Sequence, residues 1–194
     1  LSPIQSHANA GAIEANGEIP DVRSLRIPVR YLANLLTAGA EAPIVAALER
    51  MSKEQKAIWA EQFSPMVPPL DRIRARCDST YKLQAEIKAR TGRVLGCPLC
   101  SVGSEICNQD EKIRAKVQEI LARKTKYLES AIRDAQAEGL IGPGDPAAKA
   151  RGMLAYYEGM ITQARIHNDA EMLANLGEAV LEHLHAKKPE VQVV

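Results

Sequence analysis

The sequence predicts an all-α fold, a helical bundle without strands. Aromatic residues make up only 4% of the chain although hydrophobic residues reach 46%. Ala, Leu, Ile, Glu, Lys and Arg are plentiful, and that mix favours helices over strands, which draw on aromatic and β-branched residues. From Pro43 onward apolar residues recur at three-and-four spacing, and Gly and Pro cluster between the repeats.

The first patterned element carries Ile44, Ala47, Leu48, Met51, Gln55, Ile58, Trp59 and Gln62 on one face, about five turns of amphipathic helix. "SPMVPP" breaks it. Leu70, Ile73, Cys77, Thr80, Tyr81, Gln84 and Ile87 mark a second long helix that ends near Gly92. Its entrance holds Pro68 and Pro69, where a missing N–H costs little. A short helix follows Pro98. Asp110 or Glu111 opens a third long helix through Ile113, Val117, Ile120, Leu121, Leu128, Ile132 and Ala135, closed by "EGLIGPGDP". Asp145 is a natural cap, with Pro146 in the first turn, for a helix through Met153, Leu154, Tyr157, Ile161 and Ala164. Asp169 caps the last helix, with Met172, Leu173, Leu176, Val180 and Leu184 inward. "KKPEVQVV" reads as a frayed tail.

Residues 1–42 differ. Pro3, Pro20, Pro28, Gly11, Gly17 and Gly39 interrupt them, and the best helical stretch is Val29–Leu36. Arg23, Arg26 and Arg30 stand against Glu14, Glu18 and Asp21, so no basic patch is visible. The division expected is an atypical segment over 1–45, one domain over 46–186 and a tail over 187–194. At 194 residues the chain can bury a core without staples. The formal net charge of +1 gives no support for nucleic-acid binding. No apolar run approaches the ~18 residues of a membrane span and no signal peptide is visible, so no membrane association and a cytoplasmic location with reduced thiols are expected.

Three of the four cysteines fall in "GCPLCSVGSEIC" over residues 96–107. A structural zinc site usually needs two close ligand pairs, and only Cys97 and Cys100 form one; Cys107 would be a third ligand. His167, His183 and His185 lie on distant helices. A redox pair at a helix start would have a lowered thiol pKa, but the strand of a thioredoxin-like unit is missing. The favoured reading is small buried side chains, with Leu99, Val102, Ile106 and Cys107 inward and Gly103 admitting a neighbouring helix. No metal and no cofactor are expected. Enzyme chemistry is not expected either: "GPGD" is a turn rather than a phosphate loop, and no Ser-His-Asp or Cys-His set can be placed.

"LGCPLCSVGSEICNQDEKIRAKVQEILARKTKYLESAIRDAQAEGLI" resembles the C-terminal ligand-binding region of the tetracycline-repressor (TetR) family. "ARGMLAYYEGMITQARIHND", with its Glu158-Gly159 pair, and "AEMLANLGEAVLEHL" are similar to the next two family helices. "APIVAALERM" resembles, more weakly, the helix that joins the family's DNA-binding module to its ligand domain. The resemblance spans about residues 43–185.

It implies a ligand-responsive transcriptional regulator, a repressor that binds operator DNA as a homodimer and answers an unknown small-molecule effector. The alternative is a helical small-molecule or thiol-sensing dimer that does not bind DNA. Counting back from the joining helix places the recognition helix near residues 28–34, where Arg30, Tyr31 and Asn34 have chemistry for phosphate or base-edge contacts. The family's turn Gly and aromatic-His-aromatic signature are absent there. Pairing through the last two helices would use Met153, Leu154, Tyr157, Ile161, Met172, Leu176, Val180 and Leu184. The same residues could instead close the chain's own core. The effector cavity would lie within residues 65–165, with Cys77, Tyr81, Cys97, Cys100, Tyr127, Tyr156 and Tyr157 as lining candidates.

Overall fold

The structure, a computed structural model, describes residues 41–187. Six α-helices follow in order: α1 Glu41–Gln62, α2 Pro69–Thr91, α3 Pro98–Ile106, α4 Glu111–Ala137, α5 Pro146–His167 and α6 Leu176–His183, with a 3-10 turn at Ala170–Leu173. No strand occurs among the described residues. Helix α1 runs through the boundary expected at residue 45. Residues 1–40 and 188–194, and with them Arg30, Tyr31 and Asn34, lie outside the described residues.

The helix ends follow their residues. Asp110 accepts a hydrogen bond from the Ile113 N–H, and Asp145 accepts one from the Ala147 N–H, each satisfying a first-turn donor. Gly92 ends α2 at φ 73°, a left-handed conformation that suits glycine.

Helix α4 is the axis of the bundle, flanked by α1, α2, α3 and α5, while α6 and the 3-10 turn cover α2. The main core runs from Trp59 and Phe63 through Ile73, Leu128 and Ile132 to Met153, Ile161, Leu173 and Val180. A smaller core of Leu48, Leu99, Ile106, Ile113, Val117 and Ile120 joins α1 and α3 to the start of α4. Gly103 meets that helix closely; a Cβ there would stand 3.3 Å from Val117 Cγ1.

Two expectations change. The last helix is not continuous from residue 170: Asp169 caps a 3-10 turn, and the α-helix starts only at Leu176. The threefold repeat of the turn buries both Ala170 and Leu173 and leaves Met172 exposed. Ile58 is also exposed, because α1 buries Leu48, Ser52 and Trp59 and turns Ile58 off that stripe.

Candidate functional site

Two charged side chains sit on apolar helix stripes. Lys124 stands between Ile120 and Leu128 on α4, and Glu158 between Leu154 and Ile161 on α5. Both are buried, at 9% and 8% exposure. Charges at such depth are rare unless paired, and the α4–α5 packing pairs these two, with Lys124 Nζ 3.5 Å from Glu158 Oε1.

The "GCPLC" segment delivers two thiols to the same place. Gly96 turns at φ 76°, and Cys97 takes the extended conformation before α3. Pro98 and Leu99 complete the spacing that puts Cys100 one turn on. The Cys97 thiol donates to Glu158 Oε1 at 3.6 Å. The sulfurs of Cys97 and Cys100 and a carboxylate oxygen of Glu158 all lie within 4.8 Å of one another. Both cysteines are free thiols. Glu158 Oε2 is buried without a hydrogen-bond partner.

The electrostatics are mutual. The hydrogen bond from Cys100 is the largest influence on Cys97 and lowers its pKa; burial opposes it, Lys124 assists and Glu158 opposes. The same hydrogen bond, followed by burial, raises Cys100. The pair therefore loses its first proton from Cys97. Burial is the strongest influence on Lys124 and acts against its charge, but Cys97 and Glu158 outweigh it and hold the ammonium protonated.

A second polar group, Tyr157 with Thr80 and Arg76, lies close enough to act electrostatically on Lys124. Tyr157 is buried and shares a short hydrogen bond with Thr80, which also accepts from Arg76 at 2.8 Å. Burial raises the Tyr157 phenol. The Arg76 guanidinium and the Lys124 ammonium both lie over Trp59, at 5.1 and 5.9 Å from its ring centroid. Beside Trp59 a cavity of about 20 Å³ is lined by Ser52, Gln55, Lys56, Ile120, Arg123, Lys124 and Tyr127. That is room for a water, far below the ~300 Å³ and more of a pocket for an organic ligand.

The sequence-derived candidates divide accordingly. Cys97, Cys100 and Tyr157 come together here, and Tyr127 joins the aromatic wall with Trp59 and Phe63. Cys77 belongs to the core beneath α6, where Gly177 approaches it. Tyr81 reaches outward, its hydroxyl donating to Glu171. Tyr156 stacks on His183 at 4.8 Å on another side of the bundle. Lys124, Glu158, Arg76 and Thr80 were not among the site candidates read from the sequence, although a charge on an apolar stripe was the available signal for the first two.

The residues expected at a subunit interface are also placed. Met153, Leu154, Tyr157, Ile161, Leu176, Val180 and Leu184 are buried within the chain itself, and only Met172 is exposed.

The family described as "Tetracyclin repressor-like, C-terminal domain" matches residues 69–180. The chain belongs to this family. Three solved structures share the fold. A TetR-family transcriptional regulator from Agrobacterium tumefaciens superposes with TM-score 0.64 at 22% identity, over 73% of each chain. The regulatory protein TetR from Rhodobacter sphaeroides gives 0.62 at 23% identity, over 73% of this chain and 74% of that one. The reduced form of NemR from E. coli gives 0.67 at 22% identity, over 88% of this chain and 95% of that one. The TetR-like domain thus places the protein in a family of ligand-responsive transcriptional regulators.

The N-terminal part is similar to something else. Residues 1–56 match the family described as "Respiratory nitrate reductase beta C-terminal". Over 51 residues, 26% of this chain, the segment is 69% identical to the respiratory nitrate reductase 1 beta chain of Shigella flexneri and 67% identical to that of Escherichia coli K12. The chain spans only 10% of the length of these relatives. This match takes in Arg30, Tyr31 and Asn34 and also "APIVAALERM". The stretch expected to resemble the TetR joining helix is therefore matched by a different family, and the TetR-like match begins only at residue 69. No helix among the described residues is long and apolar enough to cross a membrane.

Proposed function

We propose that this chain is an effector-sensing regulator of transcription that acts as a homodimer and senses at the Cys97–Cys100–Lys124–Glu158 cluster. The observation that carries the reading is a charged, incompletely satisfied cluster, a buried ion pair beside two half-buried thiols, in a domain of a ligand-responsive family. A buried ion pair with one carboxylate oxygen unpartnered is a poor stabiliser compared with apolar packing, and perturbed groups of this kind concentrate at functional sites. Change at the cluster would be passed on through α4 and α5, which carry its two charges. Repression is the output expected, with the effector shifting the population toward a state of lower operator affinity.

The pairing face we assign is the exposed side of α5. Ala148, Gly152, Ala155 and Gly159 follow one another at three-and-four spacing, with Ile166 two turns further on, and all five are uncharged and exposed. Nothing stands within 4 Å of a Cβ placed on Gly152 or Gly159, so a second helix can approach closely. Two-fold symmetric pairing, the commonest oligomer geometry, would set this face against its own copy.

A second reading is favoured by one observation. The residues in the position of the DNA-binding module match a nitrate reductase beta segment, which supports a sensing dimer without DNA binding. Binding of the full chain to its own promoter region, measured by fluorescence anisotropy at two salt concentrations, separates the two. The regulator reading expects specific binding that weakens steeply with salt, by ~10³-fold or more between 50 and 200 mM for a protein with several phosphate contacts. Affinity no greater than for random DNA of equal length would give the second reading the lead.

A further inference from the structure

We infer that Cys97, Cys100 and Glu158 form a binding site for one thiophilic divalent cation of the zinc class, with Lys124 as the neighbouring positive charge. The donors are the two free thiols and the carboxylate whose reactive atoms lie within 4.8 Å of one another. Cys97 Sγ stands 3.6 Å from Glu158 Oε1, about the edge of a tetrahedron built with metal–sulfur bonds of ~2.3 Å and metal–oxygen bonds of ~2.0–2.2 Å. Two sulfurs and one oxygen suit zinc rather than magnesium or calcium, which prefer oxygen donors alone.

One independent observation points to a ligand. Glu158, more than nine-tenths buried, keeps Oε2 without any partner in the interior. Charge balances as well. When the ion enters, the two thiols release their protons to solvent. Two thiolates and one carboxylate then bring three negative charges against two on the cation and one on Lys124, leaving the buried group neutral. Three protein ligands leave a fourth tetrahedral position for water or an exogenous donor.

The site depends on the regulatory reading only for its consequence, and the two are separable. The reduced, metal-free full chain is titrated with Co²⁺, followed by displacement with Zn²⁺ in competition with a chelating dye. The expected result is one ion per chain with thiolate-to-cobalt charge-transfer absorption. X-ray absorption at the zinc edge should give two sulfur neighbours at ~2.3 Å. Cys97→Ser, Cys100→Ser and Glu158→Gln should each weaken binding by about tenfold or more, and Cys107→Ser should leave it unchanged. Absence of charge transfer, a zinc edge with nitrogen and oxygen neighbours alone, or equal loss in Cys107→Ser would overturn the site; the edge measurement on the unmutated chain stands even if a variant misfolds. Binding as described with no change in oligomeric state or DNA affinity would keep the site and remove the effector reading.

Discussion

Lys124 and Glu158 face each other from α4 and α5 at 3.5 Å, with side-chain exposures of only 11% and 10%. Removing one partner strands the other charge in the interior. Lys124→Met is expected to lower the unfolding free energy by about 3 kcal/mol, within the range for broken buried pairs. The double variant Lys124→Met/Glu158→Leu should recover most of that loss, because two apolar groups leave no charge to solvate. Urea denaturation of both variants and of Glu158→Leu alone closes the cycle. Simple additivity of the two losses would mean that the pair is not coupled.

Cys77 offers a pH-dependent test away from the cluster. Burial pushes its thiol from 9.0 up to about 12. The native chain therefore keeps a proton that the unfolded chain releases above about pH 9. Stability from this group is fully present below pH 9 and is lost as pH rises toward 12. Cys77→Ala should flatten the fall in stability across that window, read as denaturation midpoints at several pH values. An unchanged slope would assign the fall to other groups.

Gly96 joins backbone and side-chain constraints. It holds φ 76°, and an added Cβ would stand 2.9 Å from Arg165 Cδ. Arg165 in turn donates to Ser101 Oγ at 2.5 Å, fastening the start of α3 to α5. Gly96→Ala is expected to cost about 1–3 kcal/mol and to loosen the thiol-bearing turn. Faster alkylation of Cys97 and Cys100, followed by mass spectrometry, would report the loosening. Unaltered stability together with unaltered labelling would count against this account of the turn.

The pairing face gives a size measurement. Gly159→Glu places a charge on the exposed face of α5 without touching the core, since nothing lies within 4 Å of its Cβ position. Sedimentation should show the mass of the chain reduced from dimer to monomer, while the helical signal stays constant. A dimer of undiminished strength would move the interface elsewhere.

Arg72 fastens the loop before α2 to the last turn of α4. It is 3% exposed, donates to the Val67 carbonyl at 2.7 Å and the Pro65 carbonyl at 3.2 Å, and pairs with Asp134 on α4. Arg72→Met should destabilise the fold by about 2–4 kcal/mol, because two carbonyls and a carboxylate lose their donor. A thermal melt decides it; a shift within error would make the clamp incidental.

The helices were legible because each rests on local chemistry. Asp110 and Asp145 cap where their side chains can reach first-turn N–H groups, and Gly92 ends α2 where a left-handed residue is needed. The three-and-four repeats of Ile113 to Ala135 and of Met153 to Ala164 are properties of single helices, so they can be read along the chain. The break before Leu176 was not legible, since the same spacing of Leu173 and Leu176 serves a 3-10 turn and an α-helix alike.

The site was legible only in halves. The chain alone determined that Cys97 and Cys100 lie one turn apart at a helix start, and that Lys124 and Glu158 each interrupt an apolar stripe. The change of character read after residue 42 falls inside the nitrate reductase beta match, which runs to residue 56, while the TetR-like match starts at residue 69. That Glu158 is the partner of both Cys97 and Lys124, separated from them by 61 and 34 positions, was decided by how α3, α4 and α5 pack. So was the fate of Tyr81 and Tyr156, which look like pocket residues along the chain and point elsewhere in space. Periodicity says which face of a helix is buried; the rotation and neighbour of that helix, and hence which buried polar groups meet, are set by packing across the whole core.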